Sequence, residues 1–161
     1  MIINFKDLAG LRTGLRDKTI VFSGGTYDLL HPGHINYLEK LKSMGDVVVV
    51  AISPDKSVKR RKGEGRPILN ESERLSLVNS IKYVDYALIA PDYTEGGTGG
   101  TVQCLLELKP DIFVSIDPKW IEFVKSRKDI PEGTEVRIIP RGENFSTSEI
   151  IDRIYKGKER V

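Results

Sequence analysis

The chain has 161 residues, of which 39% are hydrophobic and 30% are charged, a composition and a length typical of one globular domain. Its formal net charge of +2 is too small for a dedicated nucleic-acid-binding protein, and no apolar stretch approaches the roughly 20 residues of a membrane span. The start of the sequence lacks a signal-peptide pattern, and Cys104 is the one cysteine. We therefore expect a cytoplasmic, single-domain protein over residues 1–161, with Cys104 as a buried small side chain.

The first residues predict a helix that lies against the domain. Apolar residues recur at helical spacing between Asn4 and Arg16, and Asn4 can cap the first turn. We expect residues 1–17 to form a helical extension, followed by a first strand over Lys18 to Phe22.

A glycine pair and two histidines follow that strand. Gly24 and Gly25 predict a turn, and Pro32 suits the first turn of a helix. His31 and His34, the two histidines of the chain, then lie three residues apart on one helix face. A helix N-terminus beside a glycine turn binds anions, so this stretch predicts a nucleotide-phosphate site. A zinc site is the weaker interpretation, because zinc needs a third protein ligand.

Residues 25–34 resemble the G-T-F-D-x-x-H-x-G-H signature of the cytidylyltransferase-like nucleotidyltransferases, with Tyr27 in place of phenylalanine. The resemblance implies that His31 and His34 act at the reacting phosphates and that Asp28 lies near the site. It also implies a nucleotide-binding segment, which consists of Ser23, Gly24, Gly25, Thr26, Tyr27, Asp28 and Gly33.

The second strand and the basic segment after it extend this site. Asp46 to Ile52 contains a continuous apolar run, Val47 to Ile52, which is typical of a strand buried on both faces of a parallel sheet. Ligands bind at the carboxyl ends of such strands. The cationic segment 53–67 follows at that end, and we predict a loop that brings Lys59 or Lys62 to the triphosphate.

A helix beginning after Asn70 carries the next candidate. Asn70 and Glu73 form a capping-box pattern. Arg74, in the first turn, resembles the phosphate-binding arginine of the family. Further strands are expected at Tyr86 to Ala90 and Asp111 to Ile116, with a loop over 91–100 and a helix from Thr101 to Lys109 between them.

The last third of the chain supplies the other side of the predicted site. Asp117 and Trp120 stand where family members place an acid and an aromatic residue beside the nucleotide, although Trp120 also suits an ordinary core. A fifth strand is expected over Thr134 to Ile139, and Ser146 with Glu149 forms a second capping box. The segment 141–148 resembles the R-T-x-G-I-S-T-T element of glycerol-3-phosphate cytidylyltransferases, which implies phosphate or nucleotide contacts from Arg141, Ser146 and Thr147.

Together these elements predict an α/β fold: a Rossmann-like, doubly wound parallel sheet of five strands. Cations and helix N-termini suit direct nucleotidyl transfer, in which a phosphate monoester attacks a nucleoside triphosphate and releases pyrophosphate. The sequence resembles most the adenylyltransferase half of ADP-heptose synthase, which implies ATP and a heptose 1-phosphate-like acceptor. The alternative is a glycerol-3-phosphate cytidylyltransferase that uses CTP.

The expected partners are ATP or CTP, supplied with Mg²⁺, and a phosphorylated sugar or polyol; nucleic acid and membrane are not expected partners. Relatives of this kind are commonly homodimers. Two other classes remain open. A non-catalytic nucleotide-binding regulatory module would release no pyrophosphate. A dinucleotide-dependent oxidoreductase would bind NAD(H), although the G-x-G-x-x-G spacing is lacking.

Overall fold

One parallel sheet organises the protein. The structure, a computed structural model, describes residues 1–92, 99–128, 130, 133–140 and 146–158. Its five strands have the spatial order β3-β2-β1-β4-β5; they are β1 (Ile20–Gly25), β2 (Val47–Ile52), β3 (Tyr86–Ile89), β4 (Ile112–Ser115) and β5 (Glu135–Ile138). The predicted α/β class with a doubly wound, five-stranded parallel sheet is confirmed.

Helices cover both faces of this sheet. A 3₁₀ turn at Phe5–Asp7 precedes seven α-helices in the described ranges: α1 (Leu8–Gly14), α2 (Pro32–Lys42), α3 (Asp55–Lys62), α4 (Glu71–Asn79), α5 (Gly100–Leu108), α6 (Lys119–Ser126) and α7 (Thr147–Lys158). None of the helices in the described part of the chain is long and apolar enough to cross a membrane.

The strands contribute side chains to two hydrophobic cores, one on each face of the sheet, because successive side chains point to opposite faces. In β2, Val49 packs with residues of α1 and α5 on one face, such as Leu8 and Leu105. Val50, its neighbour, packs on the other face with residues of α2 and α4, such as Leu38. All six residues of β2 are buried, as its apolar run predicts for a central strand.

The N-terminal segment docks onto the sheet. Asn4 and Asp7 form a capping box around the 3₁₀ turn, so the predicted helix begins as a 3₁₀ turn and continues as α1. Arg12 donates from Nη1 to Asp111 Oδ2 at 2.8 Å, and the same carboxylate accepts the backbone N–H of Ile20 at 2.7 Å. This contact fixes α1 against the start of β1.

The end of β1 differs from the prediction. The strand does not stop at Phe22 but continues through Gly24 and Gly25, which pair with Ala51 and Ile52 of β2. The glycines therefore serve close packing: a Cβ atom on Gly24 would lie 2.6 Å from Oγ1 of Thr101. The turn comes after the glycines.

The prediction of a loop over residues 53–67 was wrong in its first half, which forms helix α3. Tertiary contacts explain the helix: Val58 is fully buried, and Ser57 donates from Oγ to Asp92 Oδ1 at 2.6 Å. The backbone N–H of Asp55 donates to Glu71 Oε2 at 2.7 Å. The basic residues crowd into the last turn of α3, where the helix dipole favours cations.

Candidate active site

A cleft of about 520 Å³ opens at the carboxyl ends of the strands. β1 lies at its centre, between β2 and β4; at this point successive connections leave in opposite directions, which is where open α/β sheets bind ligands. The cleft is bounded by the loop after β1 with the start of α2, the end of α3, the loop after β4, and the start of α7.

The loop between β1 and α2 has an unusual backbone. Tyr27 and Leu29 both have positive φ angles, of 53° and 46°, a conformation that costs free energy for residues other than glycine. The ring of Tyr27 is folded beneath the loop and is 4% exposed, and this burial raises the pKa of its phenol. A Cβ atom on Gly25 would lie 2.6 Å from this ring, so the tyrosine requires glycine there.

The two histidines meet at the start of α2. His31 occupies the N-cap position in an extended conformation, and Pro32 follows it in the first turn, as predicted. The backbone N–H of His34 donates to the carbonyl of His31 at 2.9 Å. Their rings stack with centroids 3.8 Å apart, and the Tyr27 ring lies 5.3 Å from that of His34. Both imidazoles line the cleft beside the positive end of the α2 dipole.

Asp28 joins the walls of the cleft. Its side chain is 1% exposed, and its carboxylate accepts the backbone N–H of Ile68 and of Leu69, each at 3.1 Å to Oδ1. Arg66 donates from Nε to Oδ2 at 3.1 Å. The carbonyl of Asp28 accepts the hydroxyl of Thr147 at 2.7 Å. These hydrogen bonds connect the loop between β1 and α2 to the segment before α4 and to the start of α7.

Cations line the cleft on two sides. Arg61, Lys62 and Arg66 come from the end of α3 and the segment after it, and Lys40 comes from α2. Lys59 is outside the lining; its Nζ lies 3.7 Å from Glu64 Oε2, and its side chain is about half exposed. Of the two lysines proposed for the triphosphate, the structure brings Lys62 to the cleft.

Arg74 is buried beneath the cleft. Its guanidinium donates to the carbonyls of Leu69, Thr26 and Ser53 at 3.0, 2.6 and 2.9 Å, and Nη2 also donates to Asp55 Oδ1 at 2.6 Å. The side chain has no exposed surface. The phosphate contact expected of Arg74 does not fit this arrangement, because protein oxygens already accept its hydrogen bonds. It fixes the loops after β1 and β2 instead.

The loop after β4 and the start of α6 form the opposite wall. Trp120 lines the cleft and also packs edge-on against Phe113 and Phe123, with centroid distances of 4.9 and 5.1 Å. It belongs to both the core and the cleft. Asp117 accepts the backbone N–H of Lys119 on its Oδ1 at 3.0 Å, although the N-cap of α6 is Pro118, the residue after it.

The start of α7 completes the cleft. Ser146 accepts the backbone N–H of Glu149 on its Oγ at 3.1 Å, which confirms the predicted cap. Ser146, Thr147 and Ser148 line the cleft, so a second helix N-terminus faces it. Arg141, predicted to contact the phosphates, lies outside the described residues, as does part of the loop expected over 91–100.

The structure therefore gathers most of the predicted residues in one place. The cleft lining contains Gly24, Gly25, Thr26, Tyr27, Asp28, His31, Gly33, His34, Lys62, Asp117, Trp120, Ser146 and Thr147. Ser23 is not in the lining but beneath it, where its hydroxyl donates to the carbonyl of Val114 at 2.9 Å and contacts the Tyr37 hydroxyl at 2.8 Å.

Sequence reasoning missed ten lining residues: Asn36, Tyr37, Lys40, Arg61, Arg66, Ser115, Ile116, Ile139, Pro140 and Ser148. The spacing of Gly33, Asn36 and Lys40 along α2 was an available signal, since these residues share one helix face. Arg61 was missed as a site residue because its segment was predicted to be a loop.

Within the described ranges, no three histidine, cysteine, aspartate or glutamate side chains group in a way that could hold a metal ion. The carboxylate of Asp28 is occupied by N–H donors.

A doubly wound parallel sheet with a histidine pair, cations and two helix N-termini at its carboxyl edge defines a Rossmann-like protein built to bind nucleotide phosphates. The chain belongs to the cytidylyltransferase-like family, whose sequence profile matches residues 22–153.

Among curated relatives, the chain is 40% identical over 138 residues to the bifunctional protein HldE of Helicobacter pylori (strain G27) and 37% identical over 159 residues to that of Geobacter metallireducens. These matches cover 85% and 96% of this chain but 28% and 31% of the relatives, so the chain spans less than a third of their length. The family and these relatives indicate a nucleotidyltransferase.

Two solved structures share the fold. A lipopolysaccharide core biosynthesis protein from Thermoplasma volcanium GSS1 superposes with a TM-score of 0.65 and 29% identity, covering 78% of this chain and 99% of that one. Pantoate-beta-alanine ligase from Francisella tularensis superposes with a TM-score of 0.60 and 21% identity, covering 97% of this chain and 78% of that one. At that identity the second likeness shows the fold alone.

Proposed function

We propose that the protein transfers a nucleoside monophosphate from a nucleoside triphosphate to a phosphorylated sugar, with release of pyrophosphate. The observation that carries this proposal is the stacked pair of His31 and His34 at the start of α2. The basic side chains that line the same cleft, among the described residues, are Lys40, Arg61, Lys62 and Arg66. The acceptor needs no general base, because a phosphate monoester is already an anion at neutral pH.

In this reaction an acceptor phosphate oxygen forms a bond to the α-phosphorus as the bond to the pyrophosphate oxygen breaks. The protein contributes positioning and charge stabilisation. His31 and His34 would donate to oxygens of the α- and β-phosphates, and the N-termini of α2 and α7 would add their dipoles. Lys62 and Arg141 would neutralise the leaving pyrophosphate. Mg²⁺ would arrive bound to the triphosphate.

We propose ATP as the donor and a heptose 1-phosphate-like sugar as the acceptor. The similarity to HldE proteins and to a lipopolysaccharide core biosynthesis protein supports a role in making a cell-envelope precursor. The second candidate uses CTP and glycerol 3-phosphate; it is favoured by the Ser146–Thr147 pair of the motif, which lies in the cleft. A homodimer stays a prediction, which sedimentation velocity would check.

A matrix of four nucleoside triphosphates against phosphorylated sugars and polyols, read by pyrophosphate release, tests the proposal. We expect release with ATP and a sugar 1-phosphate. Release with CTP and glycerol 3-phosphate instead would establish the second candidate. Tight triphosphate binding by calorimetry without release from any pair would mark a non-catalytic nucleotide-binding module.

A further inference from the structure

Arg66 is a cleft residue with an unusual anchor. It lies between α3 and α4 and lines the cleft, with 16% of its side chain exposed. Its Nε donates to Asp28 Oδ2 at 3.1 Å. The loop after β1 thus supplies a carboxylate that holds a guanidinium belonging to a distant part of the sequence.

Asp28 is rigidly placed. Its carboxylate is 1% exposed and also accepts backbone N–H groups of Ile68 and Leu69, at 3.0 to 3.1 Å. These donors belong to residues two and three positions after Arg66, so one carboxylate holds both the arginine side chain and the backbone that carries it. The carboxylate of Asp28 therefore fixes the position of Arg66.

The guanidinium can serve two anions at once. Arginine has five N–H donors in a planar fork, and Asp28 accepts from Nε, on one edge of that fork. The two terminal nitrogens can bind a second, planar or tetrahedral anion in the bidentate manner that arginine favours with phosphate. Because the exposed part of Arg66 lies on the cleft, a substrate phosphate is the anion within reach.

We propose that Arg66 binds a phosphate of one of the two substrates through its terminal nitrogens, and that Asp28 is a positioning residue that orients it. This inference rests on the proposed function, and it replaces direct nucleotide binding as the role of Asp28. The ligand must offer two neighbouring oxygens of one phosphate group, which both the triphosphate and the acceptor phosphate do.

The test compares Arg66→Gln, Arg66→Lys and Asp28→Asn with the wild type, using steady-state kinetics in both substrates and calorimetric binding of the magnesium triphosphate. Arg137→Gln is the matched control, since Arg137 is an exposed arginine paired with Glu135 on β5 and outside the cleft lining. We expect kcat/KM to fall about 10- to 100-fold in Arg66→Gln, the effect of losing a charge-assisted hydrogen bond.

The substrate whose KM rises identifies the phosphate. Arg66→Lys should recover little of the lost kcat/KM, because one ammonium group cannot bind Asp28 and the phosphate at the same time. Asp28→Asn should raise the same KM, and its effect should not add to that of Arg66→Gln in the double variant. These three results support the proposal.

Three results would overturn it: kinetics of Arg66→Gln equal to the control despite a lowered melting temperature, full recovery by Arg66→Lys, or additive effects in the double variant. A wild type without turnover would count against the proposed function instead. In that case the calorimetric affinities of wild type and Arg66→Gln for magnesium triphosphate and for a sugar 1-phosphate still decide the assignment: weaker binding of either ligand by the variant supports it, and equal affinities for both ligands remove it.

Discussion

The stacked imidazole rings of His31 and His34 lie side by side in the lining of the cleft. The rings lie 3.8 Å apart and are held by Pro32 in the first turn of α2 and by the buried ring of Tyr27. A phosphate at the helix N-terminus would meet both rings. Since the transferring group gains charge on its oxygens as the reaction proceeds, donors at this point act most strongly in the transition state.

For His34→Ala we expect kcat/KM to fall at least about 100-fold, because one stabilising donor is lost at the reacting phosphate. Circular dichroism and the melting temperature should change little. Steady-state pyrophosphate release measures the effect, and His34→Gln, which keeps a side-chain N–H donor, serves as the comparison. A near-normal rate in His34→Ala would remove this residue from the chemistry.

For Arg74→Met we expect a loss of stability of about 3–5 kcal/mol, because three backbone carbonyls and the carboxylate of Asp55 lose their hydrogen-bond donor. Arg74 has no exposed surface, and its partner Asp55 is 29% exposed. Urea unfolding at pH 7 measures the change. If Arg74 served chiefly as a substrate ligand, the variant would retain its midpoint and lose only affinity.

At the scale of the elements, the close contact between β1 and α5 requires glycine at position 24. A Cβ atom on Gly24 would lie 2.6 Å from Oγ1 and 3.0 Å from Cγ2 of Thr101. This strand end carries the loop that places both histidines, so its fit against α5 sets the floor of the cleft.

We expect Gly24→Ala to destabilise the protein by about 1–3 kcal/mol, as overpacking does. The double variant with Thr101→Ala should recover part of that loss, because the two closest atoms are removed. Thermal unfolding of the single and double variants checks the prediction. Equal losses in both would show that the strain comes from the β1 backbone instead.

At the scale of the whole molecule, the buried side chains of Cys104 and Tyr27 and the partly buried side chain of Tyr37 limit stability at high pH. Burial raises the pKa of Cys104 to about 12 and that of Tyr37 to about 12, and it raises the pKa of Tyr27 as well. The folded protein keeps these protons while the unfolded chain loses them above its ordinary cysteine and tyrosine values. The free energy of unfolding therefore has its full value at neutral pH and declines as the pH rises toward 12.

Urea unfolding at pH 7, 9 and 10.5 should show this decline, and Cys104→Ala should make it shallower. In the folded wild type, Cys104 should resist thiol reagents at pH 8, since its thiol is buried and the thiolate is the reactive form. A constant free energy of unfolding across this range would contradict the assignment of these pKa shifts.

Local patterns were sufficient for much of the fold. The apolar run of β2 predicted a central strand, and Asn70 with Glu73 predicted the start of α4, where both hydrogen bonds of the capping box are present. These signals depend on neighbours in sequence, which the sequence displays directly. The helix in residues 55–62 escaped prediction because Val58 and Ser57 are stabilised by partners far along the chain.

By itself the sequence determined the α/β class, the pairing of His31 with His34 and the helix N-termini that face the cleft, since each follows from local spacing and chain direction. The tertiary structure alone decided the positions of the charged residues. Whether an arginine meets solvent, a buried carboxylate or a carbonyl depends on which distant segments surround it. For that reason Arg74 lies beneath the cleft, Lys59 beside it, and Arg66, held by Asp28, inside it.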